Sequence, residues 1–179
     1  MRVFVGIALP GDLQDRLSDL QSGVAGARWL DPDSLHLTLR FVGDVSEPEA
    51  ADLDAELSLI QDRAFDLHLS GVGAFERKRR VHALWAGVEK SDALVHLQAK
   101  VEQAVVRAGF EPMGRKYKPH ITVARLKNGT GQDAGTYMEA HNAFAAGPVR
   151  VEAFTLFQSH LNRDGARYEA LAEYPLTMP

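Results

Sequence analysis

The chain has 179 residues, 45% hydrophobic and 25% charged, with a formal net charge of −4 and no cysteine. That length suits one compact domain or two small joined lobes, and those proportions exclude a disordered or fibrous protein. The missing cysteine excludes disulfides, thiolate metal sites and a cysteine nucleophile, while the negative balance argues against indiscriminate nucleic-acid binding over the whole surface.

In chain order, the apolar run Val3 to Leu9 ends at Pro10 without a small-residue cleavage site, so it is expected to be a strand rather than a signal peptide. Asp12 is placed to cap an amphipathic helix, DLQDRLSDLQSGV, with Leu13, Leu17 and Leu20 on one face. ARWLDPDSL reads as a turn around Pro32 and HLTLRFVG as a strand. EPEAADLDAELSLIQDR follows as a second helix, with Pro48 and Glu49 in its first turn. FDLHLSGVGAF is expected to be another strand.

The order then recurs. VHALWAGVE reads as a strand, SDALVHLQAKVEQAVVRAG as a helix closed by Gly109, and PHITVARL as a strand. KNGTGQDAG is expected to be a polar loop, followed by a short helical stretch ending near Ala146 and one strand, VRVEAFTLF. The last segment, QSHLNRDGARYEALAEYPL, should form a hairpin turning at RDG. No stretch approaches the roughly 18 apolar residues of a membrane span. A soluble cytoplasmic protein is therefore expected.

The recurrence can be measured. Gly6 precedes His36 by 30 residues and Gly87 precedes His120 by 33, while Phe75 follows His36 by 39 and Phe157 follows His120 by 37. Similar spacing and matched element order point to a duplicated unit. The expected architecture is α+β: residues 1–179 form a single bilobal domain, with approximate repeats at 1–76 and 81–179 joined at the basic turn ERKRR. Its two pseudo-symmetric lobes would present antiparallel or mixed sheets to a central cleft, with helices outside.

SLHLTL and KPHITV occupy equivalent places in this repeat. Residues two apart on a strand share a face, so His36 and Thr38 point together while Leu37 and Leu39 point into the core. His120 and Thr122 repeat the arrangement in front of Ile121 and Val123. Two imidazoles and two hydroxyls across a cleft suit phosphodiester hydrolysis, in which one group removes a proton and another delivers one. Histidine titrates near neutral pH and can fill either role, and threonine hydroxyls can donate to the non-bridging oxygens. Near-symmetric half-sites leave open which histidine is acid and which is base.

A lone His-x-Thr on a strand is more often an accident of composition than a site. His68 to Ser70, HLS, is such a decoy, because the second half has no counterpart for it. His82, His96, His141 and His160 lack serine or threonine two positions on. A zinc site normally needs three or four protein ligands, and neither motif carries them at ligand spacing. No metal and no cofactor are expected.

These two motifs, with RVFVGIALP, LWAGVE and FTLFQSHLNRDGARYEALAEYPL in order around them, resemble the two-histidine phosphoesterase superfamily over essentially the whole chain. Within it the chain is similar to the RNA 2′,3′-cyclic phosphodiesterases, also called 2′-5′ RNA ligases. The resemblance implies a metal-independent hydrolase that opens an RNA 2′,3′-cyclic phosphate to a 2′-phosphate. His36 would be the proton donor to the departing 3′ oxygen, His120 the proton acceptor from water, and Thr38 and Thr122 would hold the phosphate. It further implies ATP-independent 2′-5′ ligation in reverse and RNA ends as partners, with tRNA fragments among the candidates; a monomer is expected, although the sequence carries no sign of oligomeric state. Small cyclic nucleotides, 2′-5′ oligonucleotides and a non-catalytic module binding RNA termini are the alternatives.

Phe41 and Arg125, five residues after each histidine, match the family's base-stacking and phosphate-contacting positions. Strict alternation puts a fifth residue on the wrong face, so this match requires a bulge. Arg40 is the strand-period alternative, sharing the face of His36. RKRR at 77–80 and RKYK at 115–118 are basic loops able to guide an RNA backbone, with Tyr117 available for stacking. Trp29 and Trp85 read as core or cleft-wall residues.

Overall fold

The structure is a computed structural model describing residues 1–178. It is α+β, with two sheets whose strand ladders are all antiparallel. The chain runs β1 (Arg2–Ala8), α1 (Gly11–Ser18), β2 (Arg28–Trp29), β3 (His36–Asp44), α2 (Glu47–Ser58) and β4 (Phe65–Arg77). It continues through β5 (Arg80–Val88), α3 (Asp92–Arg107), β6 (His120–Gly129), α4 (Gly131–His141), β7 (Ala145–Val151), β8 (Ala153–Asn162) and β9 (Gly165–Pro175).

One sheet has the order β3-β1-β8-β9 and the other β2-β6-β5-β4-β7. Apart from the short edge strand β2, the two orders correspond strand for strand: β1 with β5, β3 with β6, β8 with β4. The correspondence is crossed. β4 comes from the first half of the chain yet lies beside β5, and β8 from the second half lies beside β1. Neither sheet can form without strands from both ends of the sequence, so the lobes are interlocked.

Helix faces and strand faces meet as period predicts. α3 buries Leu94, Leu97, Val101 and Val105, α2 buries Leu53 and Leu57, and α1 buries Leu13 and Leu17. Leu37, Leu39, Ile121 and Val123, which alternate with the motif residues, are almost fully buried. Each such side chain contributes about 1.5–3 kcal/mol over its exposed state.

Local signals explain most element ends. Ser46 and Glu49 form a reciprocal capping box at α2, with Pro48 in its first turn, and Gly109 adopts a left-handed backbone just beyond α3. The RDG turn joins β8 to β9. ERKRR tightens into a hairpin whose tip, Lys78 and Arg79, has positive φ at both residues.

Four expectations need correction. Pro10, not Asp12, occupies the N-cap of α1, and Asp12 lies in the first turn accepting from Leu13 N. KNGTGQDAG is not a loop: β6 runs to Gly129, and α4 starts at Gly131 behind a Thr130–Asp133 capping box. The helical stretch ends at His141 rather than near Ala146. VRVEAFTLF is not one strand, because the chain changes sheets at Glu152 between β7 and β8. A continuous β-branched and aromatic run carries no signal for such a switch.

Candidate active site

Each motif histidine opens a strand, His36 in β3 and His120 in β6. The same local device fixes both rings. His36 Nδ1 donates to the carbonyl of Ser34 at 2.9 Å, and His120 Nδ1 donates to that of Lys118 at 2.6 Å. A carbonyl only accepts, so Nδ1 carries the proton and Nε2 is the reactive nitrogen in each ring. His36 Nε2 meets Thr38 Oγ1 at 2.9 Å.

His36, Thr38, His120 and Thr122 all line one cleft of about 460 Å³. Arg2, Phe4, Phe41, Arg125 and Tyr168 stand around them. Aromatic rings enclose the His36 imidazole, with Phe4 4.6 Å away and Tyr168 edge-on at 4.9 Å between ring centroids. Phe75 stands edge-on to His120 at 4.8 Å, backed by Trp85. Burial lowers the pKa of both histidines below the usual 6.5; the carbonyl contacts oppose this, and the positive charge of Arg125 adds to it. Both rings are thus biased toward the neutral form until an anion enters.

The fifth residue after each histidine reaches the cleft through matching bulges. On β3, Thr38 pairs with Gly6 and Arg40 with Val5, leaving Leu39 without a counterpart. On β6, Thr122 pairs with Trp85 and Ala124 with Leu84, leaving Val123 without one. Each bulge re-aims the next side chains, and Phe41 and Arg125 consequently line the cleft. Phe41 is 48% exposed, which is not the burial of a core phenylalanine, and the Arg2 guanidinium lies 5.1 Å from its ring.

Each bulge carbonyl is satisfied by a glutamine from the other half of the chain. Gln98 of α3 donates to Leu39 O at 3.2 Å, and Gln21, just after α1, donates to Val123 O at 3.1 Å. Sequence reasoning missed both glutamines. Gln98 lies within α3 whereas Gln21 lies beyond the end of α1, so no shared position in the sequence marks them.

Other expectations are redistributed. Arg40 is only 7% exposed and is not among the residues lining the histidine cleft. Its Nε pairs with Glu102 at 3.1 Å, Nη1 donates to Phe41 O at 2.7 Å, and Nη2 donates to Glu111 O. The bulge that admits Phe41 is what turns Arg40 away from the strand-period position. Tyr117 is no free stacking platform: its hydroxyl donates to Thr38 O at 2.9 Å, and burial pushes its phenol well above the usual range. His68 lines a separate surface hollow.

Of the two repeat markers, only the phenylalanine pair is reproduced spatially. Phe157 stands beside His36, with ring centroids 6.1 Å apart, and Phe75 stands closer beside His120, at 4.8 Å. The glycines are offset, since Gly87 stands opposite His120 whereas Gly6 stands opposite Thr38. Tyr168, Phe4 and Arg2 were not foreseen; they arrive from β9 and β1 by tertiary pairing, and no short-range pattern marks them.

Chemically, the cleft offers two proton-transfer groups, two hydroxyl donors and two guanidiniums around a space that fits a phosphate and a nucleoside. Among the described residues, no three His, Cys, Asp or Glu side chains gather as metal ligands do.

A family model described as the 2′-5′ RNA ligase superfamily matches residues 9–163. The RNA 2′,3′-cyclic phosphodiesterase of Aeropyrum pernix is 33% identical over 164 residues, covering 88% of this chain and 93% of that protein. The enzyme of the same name from Bacillus subtilis is 29% identical over 181 residues, covering 97% and 96%. Among solved structures, E. coli LigT complexed with 3′-AMP superposes with a TM-score of 0.79 at 28% identity, covering 98% of both chains.

Proposed function

We propose that this chain, which belongs to the 2′-5′ RNA ligase superfamily, hydrolyses RNA 2′,3′-cyclic phosphate ends to 2′-phosphates. The observation that carries the reading is the pair of imidazoles in one cleft, each with Nδ1 held by the carbonyl two residues earlier, so that Nε2, which on His36 meets the Thr38 hydroxyl, is the nitrogen for proton transfer.

The terminal nucleoside occupies the aromatic end of the cleft, between Phe41 and Tyr168, with its cyclic phosphate between the histidines. His36, enclosed by Phe4 and Tyr168, faces the ribose and protonates the departing 3′ oxygen. His120 removes a proton from water attacking on the opposite side of phosphorus. Thr38 and Thr122 donate to the non-bridging oxygens, and Arg125 offsets the charge that develops there. In the reverse sense a 5′-hydroxyl replaces water, giving a 2′-5′ linkage without ATP. The phosphate, being anionic, returns the histidine pKa values toward neutrality and allows one ring to be charged.

Binding without turnover is the rival, and one experiment separates them. An oligonucleotide ending in a 2′,3′-cyclic phosphate, followed by 31P NMR or chromatography, should yield only the 2′-phosphate. Unchanged substrate bound by the protein would support a recognition module instead. The 3′-phosphate as product would reverse the assignment of the leaving oxygen.

A further inference from the structure

On the far side of His120 lies a second groove, about 930 Å³, larger than the histidine cleft and continuous with it. Thr38, Phe41, His120, Thr122 and Arg125 line both spaces, whereas His36 lines the cleft and is not among the residues that line the groove. Besides the shared Arg125, its walls carry four exposed cations, Arg77 from the β4 end and Arg115, Lys116 and Lys118 from the loop before β6, against one carboxylate, Glu76. Beside His120 the wall is aromatic: Phe75 and His82 lie nearly parallel with ring centroids 6.3 Å apart. Arg77 of the first basic segment and residues 115–118, the whole of the second, thus line one groove although they lie far apart in the chain.

In-line displacement at phosphorus places the entering and departing oxygens on opposite sides. If the ribose and its 3′ oxygen lie on the His36 side, as the proposed function requires, the nucleophile arrives from the His120 side. Water needs only a narrow approach there. A groove of this size, with cations spaced along it and a stacked ring pair at its inner end, has the chemistry of a single-strand nucleic-acid site.

We propose that this groove is the binding site for the 5′-hydroxyl strand of a 2′-5′ linkage, a reading that rests on the function proposed above. The strand's first base stacks on Phe75 and His82, and its phosphates lie along Arg77, Arg115 and Lys116. In the joining direction the 5′ oxygen attacks phosphorus while the bond to the 3′ oxygen breaks. The 5′-hydroxyl proton passes to His120 Nε2, and His36 Nε2 supplies a proton to the 3′ oxygen. In the cleaving direction the 3′-hydroxyl attacks and gives its proton to His36. The departing 5′ oxygen takes a proton from His120 and leaves into the groove.

The test compares three substrates in the wild-type protein and in an Arg77→Glu/Lys116→Glu variant. These are a 2′,3′-cyclic mononucleotide, a 2′-5′-linked dinucleotide, and the same dinucleotide extended by five nucleotides on its 5′-linked side. In the wild type the extension should raise kcat/KM for cleavage about tenfold, with the gain shrinking as salt rises. The variant should lose that gain yet open the cyclic mononucleotide within twofold of wild type, which also reports that it folds. An extension without effect, or a gain that survives in the variant, overturns the groove assignment. Wild-type protein that leaves the cyclic mononucleotide intact overturns the hydrolase reading itself, and the groove proposal with it.

Discussion

Phe75, at the end of the first half of the chain, stands edge-on to His120 of the second half, with ring centroids 4.8 Å apart and planes at 88°. Phe157 of the second half stands 6.1 Å from His36 of the first. Each histidine is therefore walled by an aromatic ring from the opposite repeat, because β4 and β8 are exchanged between the sheets. The exchange ties the active geometry to global folding. A lobe cannot be half-formed and still enclose its own histidine.

Replacing either histidine by alanine should lower cyclic phosphate opening by about 10²–10⁴-fold, the usual worth of a positioned acid or base. Both rings are only partly buried at a cleft wall, so the variants should keep the far-UV circular dichroism of the wild type. Turnover within tenfold of wild type in either variant would remove that histidine from the mechanism.

The two arginines near the motifs should separate cleanly. Glu102→Ala leaves the Arg40 guanidinium buried without its carboxylate and should destabilise the fold by about 3–5 kcal/mol, read as a lower denaturant midpoint, while kcat per folded molecule changes little. Arg125→Ala removes an exposed cleft charge and should do the reverse, raising KM tenfold or more with the midpoint nearly unchanged. Equal effects of the two substitutions on activity would contradict the division of labour.

Gln98→Leu isolates the bulge. The buried Leu39 carbonyl would lose the amide that satisfies it, costing about 1–3 kcal/mol, and Phe41 would lose its fixed aim into the cleft. Because the histidine and threonine precede the bulge, KM for a cyclic-phosphate-ended oligonucleotide should rise several-fold while kcat holds within about twofold. Gln98→Glu presents an oxygen to that carbonyl, so it should fail to rescue. A variant with unchanged KM would reduce Gln98 to a structural role.

The site was legible where its chemistry lies in strand periodicity. Period two puts His and Thr on one face, and duplication brings the two faces together, so His36, Thr38, His120 and Thr122 needed no tertiary information. Phe41 and Arg125 required a bulge, which a run of β-branched and apolar residues does not announce. Arg40 was misdirected by the same bulge. Tyr168 and Phe4 depend on which strands neighbour β3, and the exchange of β4 and β8 leaves no local mark. In the fold, α4 was hidden because Thr130 and Asp133 form a good capping box inside a Gly-rich stretch that otherwise reads as coil.

The pH dependence follows from the direction of the histidine shifts. Burial lowers both pKa values below 6.5 in the free protein, His36 and His120 alike, with Arg125 acting in the same direction. Catalysis needs one ring charged and one neutral. At low pH both are charged and the base is lost; as pH rises both become neutral and the acid is lost. The profile of kcat/KM, which reports the free protein, should therefore be bell-shaped with its maximum below pH 6.5. Bound phosphodiester is anionic and favours the imidazolium, so the kcat profile should peak at higher pH than kcat/KM. The two apparent values belong to the coupled pair and not to either ring. Arg125→Ala removes a charge that lowers both pKa values, so its kcat/KM maximum should move to higher pH. A shift to lower pH, or a kcat/KM maximum well above 6.5 in the wild type, would contradict this electrostatic account.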